Sequence, residues 1–242
     1  MEFKLGKKDL VCGYFAQVFS IASGIIILPI ILKLLTPEEI GLNYLMLTVG
    51  VLVTLFDFGF APQFGRNITY IFAGSQNLLK VGVEKNKTGN EINYKLLFVM
   101  IQTARFLYKR LSLIILILLL TLGTVYIYKI TNGFSSVENS LLIWITYCIS
   151  IYFNMYFAYY SSLLNGKGMV TEYRKALVYS KLVYTIVALV LLFLNFGLIS
   201  IVVANLMTPF VTRYFSQKFF FTTDLKSKLK GHKASKEEKL QL

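Results

Sequence analysis

The sequence predicts an all-α fold: a polytopic membrane helical bundle with six transmembrane helices and both termini on the cytoplasmic side. Three observations carry this expectation. The 242-residue chain is 56% hydrophobic and only 15% charged, against about 45–50% and about 25% for soluble domains. The apolar residues lie in long uncharged runs, and a hydrocarbon core of about 30 Å takes roughly 20 of them as a helix. The runs are continuous rather than alternating with period two, which favours helices over a barrel.

The first span is residues 11–32, an uncharged run after a basic start. It is longer than a signal-peptide core and lacks a small-residue cleavage site. Thr36 followed by Pro37, with Glu38 and Glu39, forms an N-cap, a proline at the first helical position and an acidic first turn. These open the second span, residues 40–64, with Asp57 inside it. Residues 65–110 read as a cytoplasmic loop. Thr88 and Glu91 have capping-box spacing there, and Leu96, Leu97, Met100, Ala104, Leu107 and Leu111 share one helical face. The expectation is an amphipathic helix lying at the membrane surface and entering the third span. The third span, residues 111–128, is almost wholly apolar and predicts a lipid-facing helix.

The remaining spans are residues 140–164, 176–194 and 198–219, the last two joined by a tight reversal at Asn195-Phe196-Gly197. Residues 220–242 form a basic tail. Ser235 and Glu238 repeat the capping-box spacing and announce a helix just before the sequence stops, which reads either as a frayed end or as a segment whose continuation is missing. Charge sets the orientation. With the N-terminus inside, only Lys33 and Lys129 of the 25 lysines and arginines fall outside, as positive-inside asymmetry requires.

That asymmetry also accounts for the net charge of +13 without nucleic acid, for which no recognition motif is present. Cys12 and Cys148 belong to no CxxC, and His232 is the single histidine. Disulfide, zinc and histidine-based chemistry therefore have little material. There is no HExxH, GxSxG or Walker pattern, so an intramembrane enzyme is not expected. No cofactor or metal is called for.

Polar residues inside apolar runs mark the candidate site, because lipid penalises them unless they face protein or water. Asn43, Leu47, Gly50, Thr54 and Asp57 recur on one face of the second span, and Tyr147, Ile151, Asn154, Ala158, Ser161 and Asn165 on one face of the fourth. Gln17, Ser20 and Gly24 form a shorter stripe, and Asn205, Pro209 and Arg213 align in the sixth span. Such stripes serve either as packing seams or as cavity lining. Asp57 and Lys181 are the intramembrane charges. They could pair with each other or handle substrate and protons, and the lysine could snorkel. Arg66 falls opposite Asp57 on a straight helix unless Gly59 and Pro62 bend the segment.

Residues 34–78 resemble the N-terminal region of Wzx-type polysaccharide and O-antigen flippases, the lipid-linked oligosaccharide translocases of the MOP superfamily, which includes the MATE transporters. The resemblance rests on the proline-acidic turn at Pro37, Glu38 and Glu39, on Gly41 and Asp57-Phe58-Gly59, then on Arg66 and Ala73-Gly74, in that order. It implies one six-helix lobe of a two-lobed transporter in the bacterial inner membrane, with residues 220–242 as the linker to a missing second lobe. The implied function is flipping of undecaprenyl-diphosphate-linked oligosaccharide for surface polysaccharide synthesis. Lys181, Arg213 and Arg66 would then draw the diphosphate, Asn154 and Ser161 would receive sugar hydroxyls, and Asp57 would couple to protons. Its partners would be the lipid-linked oligosaccharide, membrane lipid, and a second lobe or a second copy. The first span departs from relatives that carry arginine in the cavity, since it holds no charge. Other classes remain open: half of a MATE-like small-molecule exporter, and an oligomeric scaffold or channel. Cavity chemistry separates the transporters, with a wide cationic cavity suiting glycolipid and a narrower acidic one suiting organic cations.

Overall fold

A computed structural model describes residues 7–77 and 92–231. Among these residues every regular element is a helix. Five helical segments are long and apolar enough to cross a bilayer: Val11–Leu34, Pro37–Asp57, Tyr94–Ile130, Ser140–Gly166 and Val170–Phe193. This is the architecture of a multi-pass membrane protein. The Thr88–Glu91 spacing and the tail helix expected at Ser235 lie outside the described residues.

Helix α1 is Lys7–Leu34 and α2 is Pro37–Thr54. The turn between them is built as its sequence announces. Thr36 Oγ1 accepts from Glu39 N (3.3 Å) and Glu39 Oε2 accepts from Thr36 N (2.9 Å), a closed capping box. The other carboxylate oxygen of Glu39 accepts from Leu198 N at 2.8 Å. One side chain thus caps two helix starts, the second of them 159 residues beyond Glu39 in sequence.

The second span differs from its expected bounds. It ends in a 3-10 turn, Leu55–Asp57, followed by left-handed backbone at Phe58 (φ 47°) and Gly59 (φ 78°), and α3 (Phe60–Phe72) leaves in a new direction. Asp57 therefore sits at a helix break, not within a continuous span to residue 64. Glycine accepts positive φ freely, and the chain turns at the residue that can follow it.

The amphipathic helix does run on into the third span, and its apolar face packs on protein. Tyr94–Ile130 is a single rod made of α4 (Tyr94–Leu118), a wide π-helical turn (Leu119–Gly123) and α5 (Thr124–Ile130). Asn93 caps it, its side chain accepting from Leu96 N. The apolar face expected to lie in lipid is covered by protein: Leu97, Met100 and Ala104 are fully buried where α3, α7 and α10 (Thr223–Leu229) meet α4. The wide turn admits Trp144, whose ring packs on Gly123 and whose Nε1 donates to Thr124 Oγ1 at 3.0 Å. Beyond Arg110 the rod exposes Leu113, Ile114, Ile117, Leu122 and Val125, as expected of a lipid-facing helix.

Helix α6 (Ser140–Phe157) kinks at Ala158 into α7 (Tyr159–Gly166). Ser161 bonds back across the kink: both its N and its Oγ donate to the Ala158 carbonyl, at 3.0 and 2.7 Å. Helices α8 (Val170–Phe193) and α9 (Ile199–Phe220) form an antiparallel hairpin, with Asn195 and Gly197 at positive φ in the expected reversal. The main body is a curved row in which α4 packs on α6, α6 on α9, α9 on α8 and α8 on α1. Helix α2 packs little on this row and leans across its concave side.

Candidate functional site

The concave side holds a cavity of about 490 Å³ between α1, α2, α6, α8 and α9. Its polar lining comes from the stripes seen in the sequence. Gln17, Ser20 and Gly24 enter from α1, Asn43 and Leu47 from α2, Tyr147 from α6, and Asn205 and Thr208 from α9. Helix α8 adds Arg174, Lys181 and Tyr184. Among the described residues no carboxylate belongs to the lining.

Three carboxamides give the cavity its chemical character. Among the described residues, the side chains of Gln17, Asn43 and Asn205 make no hydrogen bond to protein, although Asn43 is 8% exposed. Burying an amide without a partner costs several kcal/mol in an apolar medium, so these groups face water or a polar ligand. Tyr147 is instead committed to structure, its hydroxyl donating to the Met46 carbonyl above Gly50. Lys181 has no carboxylate partner among the described residues; its Nζ lies 4.5 Å from the centroid of the Tyr184 ring. A cation–π contact offsets only part of an ion's lost hydration.

The other expected site residues are distributed differently. Arg66 and Ser161 do meet, but in a separate cleft of about 360 Å³ between α3 and α7, with Asn165 and Gly166. Ser161 is occupied with the kink at Ala158. Arg213 lies nearer the lysine-rich end of α9, its guanidinium 4.7 Å from the Phe157 ring centroid. Asn154 is exposed and donates to the Ser150 carbonyl at 3.1 Å. Asp57 accepts from Tyr108 Oη at 2.5 Å and from Ala61 N at 3.2 Å. It pairs with neither Lys181 nor Arg66 and joins the helix break to α4.

Sequence reasoning left out Arg174, Gln17, Asn43 and Asn205 as binding residues. The signal for Arg174 was its spacing: seven residues before Lys181 is two helical turns, hence the same face. The carboxamides were visible in their stripes, yet a stripe alone does not separate a packing seam from a wet wall.

Near the lysine-rich end, Lys167 in the α7–α8 turn donates to the Phe220 carbonyl at 3.3 Å and lies over the Phe220 and Phe72 rings. Burial holds its pKa below the ordinary lysine value, with Asp224 and Glu172 opposing. Among the described residues no group of three His, Cys, Asp or Glu side chains is placed to hold a metal ion. No family model matches the chain, and no curated protein or solved structure matches it.

Proposed function

We propose that the chain is one lobe of a transporter that flips an undecaprenyl-diphosphate-linked oligosaccharide from the cytoplasmic to the outer face of a bacterial inner membrane. One observation carries the reading: the cavity presents Arg174 and Lys181 with unbonded carboxamides and no acid. A diphosphate carries negative charge, and guanidinium and ammonium groups in a partly dehydrated wall attract it more strongly than they would in water. Gln17, Asn43 and Asn205 replace water around sugar hydroxyls. The absence of acid from the lining tells against organic cations as cargo.

In this reading α9 is the sixth span. It has 22 residues and is less apolar than the others because it carries Asn205 on the cavity wall and Pro209 and Arg213 against protein. The lysine-rich end then lies in the cytoplasm, where Arg66 and Arg213 help collect the anionic head. Access alternates as a second lobe, or a second copy, rocks against the concave side. The polyprenyl chain stays in lipid. Asp57 is assigned a fastening role in this reading, its carboxylate accepting from Tyr108 and Ala61 at the α2–α3 break.

The test is binding by the detergent-solubilised chain of a fluorescent polyprenyl-diphosphate-linked sugar. Saturable binding, weakened at least about tenfold by Lys181→Gln or Arg174→Gln, supports the proposal. Binding of a quaternary ammonium dye at the same cavity with none of the glycolipid refutes it.

A further inference from the structure

The face of the bundle turned away from the cavity carries a second polar feature. Along Tyr94–Ile130 the exposed apolar side chains run from Leu113 to Ile130. At about 1.5 Å per residue this band is about 27 Å tall, close to the thickness of a bilayer's hydrocarbon. Arg105, Lys109 and Arg110 are exposed just before the band begins. They stand at the level of lipid headgroups.

These cations are not equivalent. Arg110 folds back on the Phe106 ring, 4.2 Å from its centroid. Arg105 and Lys109 are one turn apart on a common face. Arg105 is held in place: its Nε donates to Tyr156 Oη at 3.2 Å. Tyr156 stacks on Tyr152 with ring centroids 6.1 Å apart. Because α4 and α6 run antiparallel, stepping from Arg105 to Lys109 on one helix matches stepping from Tyr156 to Tyr152 on the other. The result is a ledge of two cations and two phenols at the α4–α6 seam. Among the described residues neither cation has a carboxylate partner, and the terminal nitrogens of Arg105 have no hydrogen-bond partner.

We propose that this ledge binds the phosphate of an anionic phospholipid from the surrounding leaflet, with the acyl chains lying along Leu113 and Ile117. The fork of Arg105 and the ammonium of Lys109 would bond the phosphate oxygens, and the tyrosine hydroxyls would bond phosphate or glycerol oxygens. A zwitterionic headgroup would bring its own ammonium against the same cations. The Tyr156 bond pre-orients Arg105, which separates the ledge from a diffuse basic surface. The ledge lies across α6 from the cavity, so its occupant is a resident lipid and not the cargo.

The experiment is native mass spectrometry of the detergent-solubilised chain titrated with phosphatidylglycerol or phosphatidylcholine. Phosphatidylglycerol is expected to be retained in preference. In the Arg105→Gln/Lys109→Gln double variant its affinity should fall about thirtyfold, and in Tyr156→Phe by a smaller factor. Lys218→Gln/Lys226→Gln removes equal charge elsewhere and should leave the affinity unchanged. Equal losses in the two double variants, no loss in the first, or complete displacement by millimolar inorganic phosphate would overturn the proposal. Circular dichroism and unfolding curves confirm that each variant is folded before its lipids are counted.

Discussion

Asp57 and Lys181 give the same signal in the sequence, a charge inside an apolar run, and the structure treats them in opposite ways. Asp57 falls where the helix breaks. Its oxygens take the Tyr108 hydroxyl and the Ala61 amide, so it is a fastener between α2, α3 and α4. Lys181 falls mid-helix on the concave wall, against the Tyr184 ring and beside carboxamides that have no protein partner among the described residues. A charge satisfied by protein organises the fold, whereas a charge left facing a cavity is available to a ligand. The difference lies in the backbone around each residue more than in the residue itself.

The comparison can be broken most strongly at Asp57. Asp57→Ala removes a charged hydrogen bond from the hydroxyl of fully buried Tyr108. We expect a loss of about 3 kcal/mol in reversible unfolding from detergent. Asp57→Asn should lose less, because an amide oxygen can still accept from Tyr108.

A glycine pair gives the next largest contrast. At Gly166 an added Cβ would meet the Gly65 carbonyl and Ile68, while at Gly24 on the cavity wall it meets nothing within 4 Å. Gly166→Ala should therefore destabilise by about 1–3 kcal/mol through overpacking of α3 on α7. Gly24→Ala should be neutral or slightly stabilising in the same assay.

At the cavity, function and stability should separate. Lys181→Met removes a partly dehydrated charge that has no anionic partner. It should change unfolding by less than about 1 kcal/mol while abolishing most glycolipid binding. A large loss of stability would place Lys181 with Asp57 as a structural group.

The smallest expected effect is a pH slope. Burial lowers the pKa of Lys167, so the folded chain binds fewer protons than the unfolded chain between the lowered value and the ordinary value of about 10.4. Stability should accordingly rise with pH through that interval. Lys167→Met should lack this contribution when the two unfolding profiles are subtracted.

Much of the fold is legible in the residues. Uncharged runs give five helices long and apolar enough to cross a bilayer, Thr36 and Glu39 give the α2 start, and Asn195-Phe196-Gly197 gives the α8–α9 reversal. What the pattern hides is long-range partnership. The apolar face of Leu97, Met100 and Ala104 looks the same whether lipid or α3, α7 and α10 cover it. The break after Asp57 was foreshadowed by Gly59, but its direction depends on Tyr108, 51 residues away in sequence. The polar stripes of α1, α2 and α9 were visible singly; their convergence on one cavity is a property of packing. Ser161 looked like a sugar contact because a hydroxyl in a span is costly, and it meets that cost locally by bonding the Ala158 carbonyl.

The central claim is that the wall carrying Asn43, Asn205 and Lys181 is wet while the outer face of α4 lies in lipid. The direct measurement is thiol labelling in membranes with a water-borne, membrane-impermeant maleimide, after Cys12 and Cys148 are replaced by serine. Asn43→Cys and Asn205→Cys should react and Ile117→Cys should stay inert. Unreactive thiols at both cavity positions, or labelling at position 117 as fast as within the cavity, would contradict the account.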